Sequence, residues 1–458
     1  MMNQKKINQS RRRFLKNATV GTAGIIAVPT IFSSCAKGAN DRIMVAHIGQ
    51  GSRGQAEMKG YFVPLTTSYS VAACDPFEQR RNAVADHINS YYKEGGINAP
   101  KCESYRHYEE VLERSDIDAV HITTPDHWHV PMAIYAARAG KHIMLAKPLG
   151  LSYPNYKILE QELKANDVKF HYGTQQRSMR HMQLGIDMIK EGKIGEIEKV
   201  EVWAPGKNPV NSPVCNEVPV PGDFDYDLWT GPAPLNPYCP ERVTNNSSWF
   251  QWDYSIGFLG GWGAHPLDIM IWGLKDKMSG EYSCEGTGDF WDEGGMYDNI
   301  MSWDVNCEYD TGIKVHFVST DVARQSGMID YLTRKAGNGT TFYGSKGWLS
   351  LSRQSAQSDI PELNDKLNNL LGQFGQDRWG LATDENTMGQ LFIDVIKENI
   401  PEKCPLDEAV MSDTISHMGN IAIRTGRKVT WDPVAGKVKN DPEANQWFIR
   451  DMRAPYTV

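Results

Sequence analysis

A short apolar run, Ile43-Met44-Val45-Ala46-His47-Ile48, leads without a break into Gly49-Gln50-Gly51-Ser52-Arg53-Gly54. Nothing else in these 458 residues narrows the fold as much. Glycines at this spacing behind a buried strand permit a tight turn, a close backbone approach to a pyrophosphate, and close packing of the next helix on the strand. The phosphates then lie on the N-terminus of that helix, predicted from Gln55 to about Tyr61. The hexapeptide alone is weak evidence. The following apolar strand, Val71-Ala72-Ala73-Cys74, strengthens it by ending in Asp75. A carboxylate there accepts hydrogen bonds from the adenosine ribose hydroxyls and repels a 2′-phosphate, which predicts NAD rather than NADP. Capping of the helix after Pro76 is a compatible second role for Asp75. Gly49, Gly51, Ser52, Arg53, Gly54 and Asp75 are the first cofactor-binding candidates.

The alternation continues with a helix over 76–93, a strand at 119–123, a helix over 127–139, a strand at 142–145, a helix over 153–166 and a strand at 168–171. Strands alternating with helices predict an α/β, doubly wound parallel sheet over residues 42–173. Ligands of such sheets sit beyond the carboxyl ends of the strands. Two motifs fall there, Thr124-Pro125-Asp126-His127-Trp128-His129 and Ala146-Lys147-Pro148.

Thr124-Pro125 with His129, then Lys147-Pro148 after the next strand, behind the Gly49–Gly54 loop, resembles the Gfo/Idh/MocA oxidoreductases, which include glucose–fructose oxidoreductase and inositol dehydrogenase. The resemblance implies a nicotinamide cofactor, with Thr124, Pro125, His129 and Lys147 added to its site. It also implies a lysine, in a strand-end Glu-Lys-Pro motif, close to the reacting carbinol. Lys147 matches that lysine, while Ala146 replaces the glutamate. The substitution alters how the lysine is held without removing the ammonium.

From about Gly195 the texture changes. Residues 197–203 read as a strand, and 204–255 form a long stretch rich in Pro, Trp, Tyr and Asn. Such a length without regular structure is usually functional or disordered, and the aromatic content speaks against disorder. Gly260-Gly261-Trp262-Gly263-Ala264-His265-Pro266-Leu267-Asp268 then opens an apolar helix. The family implies an Asp and a His beside the substrate here; His265 matches the histidine, but Gly261 stands where the Asp would be. Asp268, three residues on, shares a helical face with His265 and is expected to orient it. A neutral imidazole suits acceptance of a hydroxyl proton. Lys147 and His265 are the catalytic candidates; Lys147, Trp262, His265 and Asp268 are the substrate-side candidates. Strands at 300–309 and 313–320, a strand pair around 338–349, and helices over 385–399 and 406–426 complete residues 174–458. The implied second domain is α+β, with a largely antiparallel open sheet and C-terminal helices. Val218 to Pro234 and the last 40 residues resemble the exported bacterial branch of the family.

The N-terminus reads as an address. Ser10-Arg11-Arg12-Arg13-Phe14-Leu15-Lys16 before the mild apolar run from Ala18 to Phe32 resembles a twin-arginine signal, whose machinery moves folded proteins. Residues 1–34 are assigned to it and 35–41 to a tether. Cys35 after Phe32-Ser33-Ser34 resembles a lipobox, so a lipid anchor is expected there and the protein is placed in the periplasm or on the outer membrane. Without the six basic residues of the first 34, the body has 42 Lys+Arg against 56 Asp+Glu, no footprint for nucleic-acid phosphates. The seven cysteines beyond Cys35 are an odd count with no C-x-x-C pair, so not all of them pair. Cys74 reads as a core thiol, and Cys215 with Cys239 is a possible pair.

The function expected is an NAD-dependent oxidoreductase acting on a carbinol of a sugar or glycoside, with cofactor recycled in place, and a homo-oligomer is the expected assembly. Two alternatives stand beside it: an NAD-dependent glycosidase working by oxidation, elimination and re-reduction, and a non-catalytic sugar-binding lipoprotein. No metal site is expected. His127 and His129, as His-x-His on a helix, point their rings to different faces.

Overall fold

The computed structural model describes residues 42–206, 211–244, 246–291, 294–333, 336–372 and 388–458. The export signal, the tether and Cys35 lie outside these residues.

Six parallel strands form the first sheet: β1 (Ile43–Ile48), β2 (Ser68–Cys74), β3 (Glu103–Tyr105), β4 (Ala119–Ile122), β5 (His142–Ala146) and β6 (Phe170–Gly173). Their order is β3-β2-β1-β4-β5-β6, with the reversal beside β1, so Ile48 is paired with both Cys74 and Ile122. Strands buried on both faces read as continuous apolar runs, which is why β1, β4 and β5 are visible in the sequence. The strand expected at 168–171 sits two residues later. Asp167 takes a φ of 51° and the Val168 N–H donates to the Leu163 carbonyl, so the preceding helix end uses up the first residues of the apolar run. The first helix starts early, as Ser52–Glu57, and continues as a wider turn over Met58–Phe62.

The second sheet has nine strands: β7 (Ile197–Ala204), β8 (Tyr282–Phe290), β9 (Ile300–Tyr309), β10 (Lys314–Ser319), β11 (Gly339–Gly344), β12 (Gly347–Leu351), β13 (Ala356–Ser358), β14 (Val429–Asp432) and β15 (Lys437–Val438). The order is β13-β12-β11-β7-β10-β9-β8-β14-β15, antiparallel except for the β10–β7 pair. Helices Arg180–Lys190, Ala264–Leu274 and Leu406–Thr425 pack together against it. The chain is therefore α/β, a doubly wound parallel domain joined to an α+β domain with a largely antiparallel sheet.

The aromatic stretch after β7 carries short helical turns at Tyr226–Thr230, Pro240–Val243 and Ser247–Phe250 among its described residues. It lies as a strap over the first domain. Phe224 stacks on Phe77 at 3.7 Å, and the Trp128 indole N–H donates to the Leu228 and Trp229 carbonyls. Cys215–Cys239 closes part of the strap, and a second disulfide, Cys284–Cys307, ties β8 to β9; Cys74, Cys102 and Cys404 are buried free thiols.

Candidate active site

A cavity of about 450 Å³ opens at the carboxyl ends of β1, β2 and β4. Gly49, Gly51, Ser52, Arg53, Gly54, Asp75, Thr124 and Pro125 line one wall; Leu228, Trp229 and Trp249 of the strap line the other. The glycines divide their work. A Cβ on Gly54 would lie 2.2 Å from the Gly49 carbonyl oxygen, so that position needs glycine for packing alone. Gly51 faces open space, with nothing within 4 Å of its hypothetical Cβ, where a pyrophosphate would approach the backbone. The buried Thr124 hydroxyl lacks a partner among the described residues and faces the same cavity. These features fit a dinucleotide.

Asp75 is buried at the end of β2 and accepts the Gln50 N–H at 2.6 Å and the Phe77 N–H at 2.8 Å. Burial raises its pKa in spite of those donors and of Arg80 nearby. Arg80 and Arg106 line the cavity beside it. His129 does not line the cavity: its two ring nitrogens bond the Pro148 carbonyl at 2.6 Å and the Thr124 carbonyl at 2.9 Å. It braces the Thr124-Pro125 turn against the Lys147-Pro148 turn. His127 points elsewhere, to the Trp229 carbonyl, so the two histidines hold no common ligand. Among the described residues no group of side chains is arranged to hold a metal.

Trp249 leads from the cavity to the candidate reaction centre. The half-buried Lys147 ammonium lies 5.2 Å from the Trp249 ring and 5.4 Å from the Trp262 ring, and donates to the Gly261 carbonyl oxygen at 2.5 Å. Burial, then the charges of Arg353 and Arg53, pull its pKa down to about 7. His265 is buried behind Trp262, their ring centroids 5.8 Å apart. An arginine has only donors, so the 2.7 Å contact from Arg353 makes His265 Nε2 an acceptor and places the imidazole proton on Nδ1. Burial first, then Arg353 and Lys147, hold the His265 pKa well below its ordinary value, so the ring stays neutral.

Asp268 does not orient His265. It is fully buried and pairs with Arg177 at 2.6 Å, accepts the Thr174 hydroxyl at 2.6 Å, and lies 3.3 Å from the Cys404 thiol. Arg177 also reaches Glu408 and the Lys403 carbonyl. This cluster clamps the end of β6 to helices Ala264–Leu274 and Leu406–Thr425, and it leaves no carboxylate oxygen for a substrate. Sharing a helical face with His265 did not decide which way the Asp268 side chain would turn.

Three features escaped the sequence reading. Arg353, at the end of β12, has no local pattern to mark it. Arg177 follows β6 at a carboxyl end, a position that does signal a site residue. Glu57 is buried and accepts from Arg53 at 2.6 Å, Gln175 at 3.1 Å and His121 at 3.0 Å. His121 in turn meets His47 at 3.2 Å, which bonds Ser70 at 2.8 Å, a polar chain crossing β4, β1 and β2. Burial alone would raise the Glu57 carboxyl, but the His121 bond and the Arg53 charge hold it below its ordinary value. Glu57 thereby fixes Arg53 at the mouth of the site.

Residues 43–174 match a family model described as "Oxidoreductase family, NAD-binding Rossmann fold", and residues 209–458 match "Oxidoreductase family, C-terminal alpha/beta domain", both of the Gfo/Idh/MocA family. A "Glycosyl hydrolase family 109 protein" of Shewanella pealeana is 30% identical over 212 residues, 41% of this chain and 44% of that protein. The match thus spans less than half the length of that relative. The aldose-aldose oxidoreductase of Caulobacter crescentus, solved with glycerol, superposes with a TM-score of 0.58 at 15% identity, over 85% of this chain and 100% of that one. The WlbA dehydrogenase of Bordetella pertussis, solved with NADH and UDP-GlcNAcA, gives a TM-score of 0.59 at 15% identity, over 86% of this chain and 98% of that one. This chain belongs to the Gfo/Idh/MocA oxidoreductase family, and its first domain is that family's NAD-binding Rossmann domain.

Proposed function

We propose that the protein oxidises a carbinol of a sugar or glycoside and that Lys147 is the base. The observation that carries this reading is the meeting of Lys147, His265 and Trp262 next to a cavity that fits a dinucleotide. NAD, when bound, supplies the acceptor for the hydride leaving the carbinol carbon. Proton traffic falls to the protein. With Nε2 engaged by Arg353, His265 has no lone pair for the hydroxyl proton, and it offers its Nδ1–H as a donor instead. A lysine near pKa 7 is partly neutral at neutral pH, so its amine takes the proton. His265, expected from the sequence to accept the hydroxyl proton, becomes a donor in this reading, and Lys147 takes the proton.

The protein is exported with NAD already bound, anchored through Cys35, and the cofactor is restored in place by a second acceptor. Two disulfides in a chain with no C-x-x-C pair support an oxidising compartment. The oxidative glycosidase is the second reading, supported by the family 109 relatives. That reaction needs a base for a carbon-bound proton as well. Asp126, a buried acid whose charge acts on Lys147, accepts from Trp249 at 3.2 Å and from Ser255 at 2.7 Å. Product analysis after incubation with a glycoside panel separates the two. Keto-sugars with the aglycone intact support the oxidoreductase, free reducing sugar supports the glycosidase, and unchanged glycosides contradict both.

A further inference from the structure

We infer that the sugar taken by this site is acidic, with an oxyanion substituent, in the first instance a uronate carboxylate, docked on Arg353 beside the carbinol held by Lys147 and His265. The inference rests on the sugar-oxidoreductase reading and names its substrate class.

The local charges do not balance. Arg53 is neutralised by Glu57 at 2.6 Å. Arg353 has no carboxylate partner among the described residues: one terminal nitrogen is engaged by the His265 ring, its Nε is buried without an acceptor, and its guanidinium lies 5.4 Å from the Trp262 ring. Lys147 hydrogen-bonds a carbonyl rather than an acid, and the Asp126 and Glu57 carboxylates act on it only through space. Desolvated cations left without an anion are costly, and such a cost is tolerated where a ligand supplies the missing charge.

Two unspent donors, the Arg353 Nε–H and the His265 Nδ1–H, flank the same Trp262 ring. The planar guanidinium fork matches a carboxylate, and a phosphate offers the same oxyanion chemistry. The cofactor's own pyrophosphate does not meet this need, because its place is at Gly51 and Arg353 does not line that cavity. A neutral sugar would leave the Arg353 charge buried and unbalanced.

The test uses the purified protein with its bound NAD and two independent readouts, quenching of tryptophan fluorescence for binding and absorbance at the NADH band for reduction. The probes are methyl glucuronide, methyl glucoside and glucose 6-phosphate. The acidic probe is expected to bind at least about 100-fold more tightly than its neutral counterpart. Arg353→Gln brings that ratio to within about threefold, and Arg353→Lys keeps part of it. A stronger response to the phosphate than to the uronate assigns the oxyanion to a phosphate and upholds the charge argument. Equal binding of acidic and neutral sugars, or a ratio unchanged in Arg353→Gln, overturns it. Tight binding of the acid without NAD reduction overturns the oxidoreductase reading while upholding the acidic ligand. Equal reduction by both sugars does the reverse.

Discussion

The Lys147 ammonium donates to the Gly261 carbonyl at 2.5 Å, joining the end of β5 to the turn before the Ala264–Leu274 helix. At the two positions where a family carboxylate was expected, this chain has Ala146 and Gly261. The lysine hydrogen-bonds a carbonyl oxygen between two indole rings, and burial with the charges of Arg353 and Arg53 outweighs Asp126 and Glu57 to bring its pKa to about 7.

The rate of bound-NAD reduction by substrate is therefore expected to rise with pH through about 7. Burial favours the neutral amine, and the neutral amine is the proposed base. His265 is neutral throughout this range and adds no limb of its own. In Lys147→Met the rate should fall by about 10²–10⁴ with NAD still bound. A rapid-mixing pH profile checks both, and a flat profile across pH 6–8 contradicts the assignment.

Gly261→Asp should move that limb to higher pH. A Cβ at Gly261 meets only Trp249 ring carbons, at 3.8 and 3.9 Å, an ordinary van der Waals contact, so the backbone there accepts a side chain. A carboxylate placed within reach of the ammonium raises its pKa by about 1–3 units. An unmoved limb would separate Lys147 from the observed titration.

Asp75→Ala should relax discrimination against NADP by about 10- to 100-fold, because like-charge repulsion of the 2′-phosphate is removed while Arg80 and Arg106 remain in the cavity. Fluorescence titration of both cofactors measures it. Unchanged discrimination would show that the ribose end lies elsewhere.

Asp268→Asn should act on stability rather than on chemistry. Removing the charge leaves Arg177, 1% exposed, with Glu408 as its remaining carboxylate, at a cost of about 1.5–3 kcal/mol. Urea denaturation is expected to show that loss with the pH profile of the residual activity unchanged. Normal stability with lost activity would return Asp268 to the reaction centre.

The sequence disclosed what local pattern controls. β1 and Asp75 were legible because a buried parallel strand is an unbroken apolar run and the cofactor loop follows it at once. β8 was not, since Gly286 and Gly288 interrupt a strand whose outer half is exposed. Lys147 and His265 could be picked from strand-end and glycine-flanked positions. Their proposed roles could not, because those depend on Arg353, which is 88 residues from His265 and reaches it only through the fold. The Cys284–Cys307 bridge was hidden for the same reason, being set by the β8–β9 register.

The in-place use of NAD is tested most directly by mixing the purified protein, with no nucleotide added, with an oxidisable sugar and following the NADH absorbance, then adding a second sugar as acceptor. One equivalent of bound NADH per protein is expected in the first step and its disappearance in the second, with repeated turnover when both sugars are present. A strict requirement for free NAD in solution would contradict it.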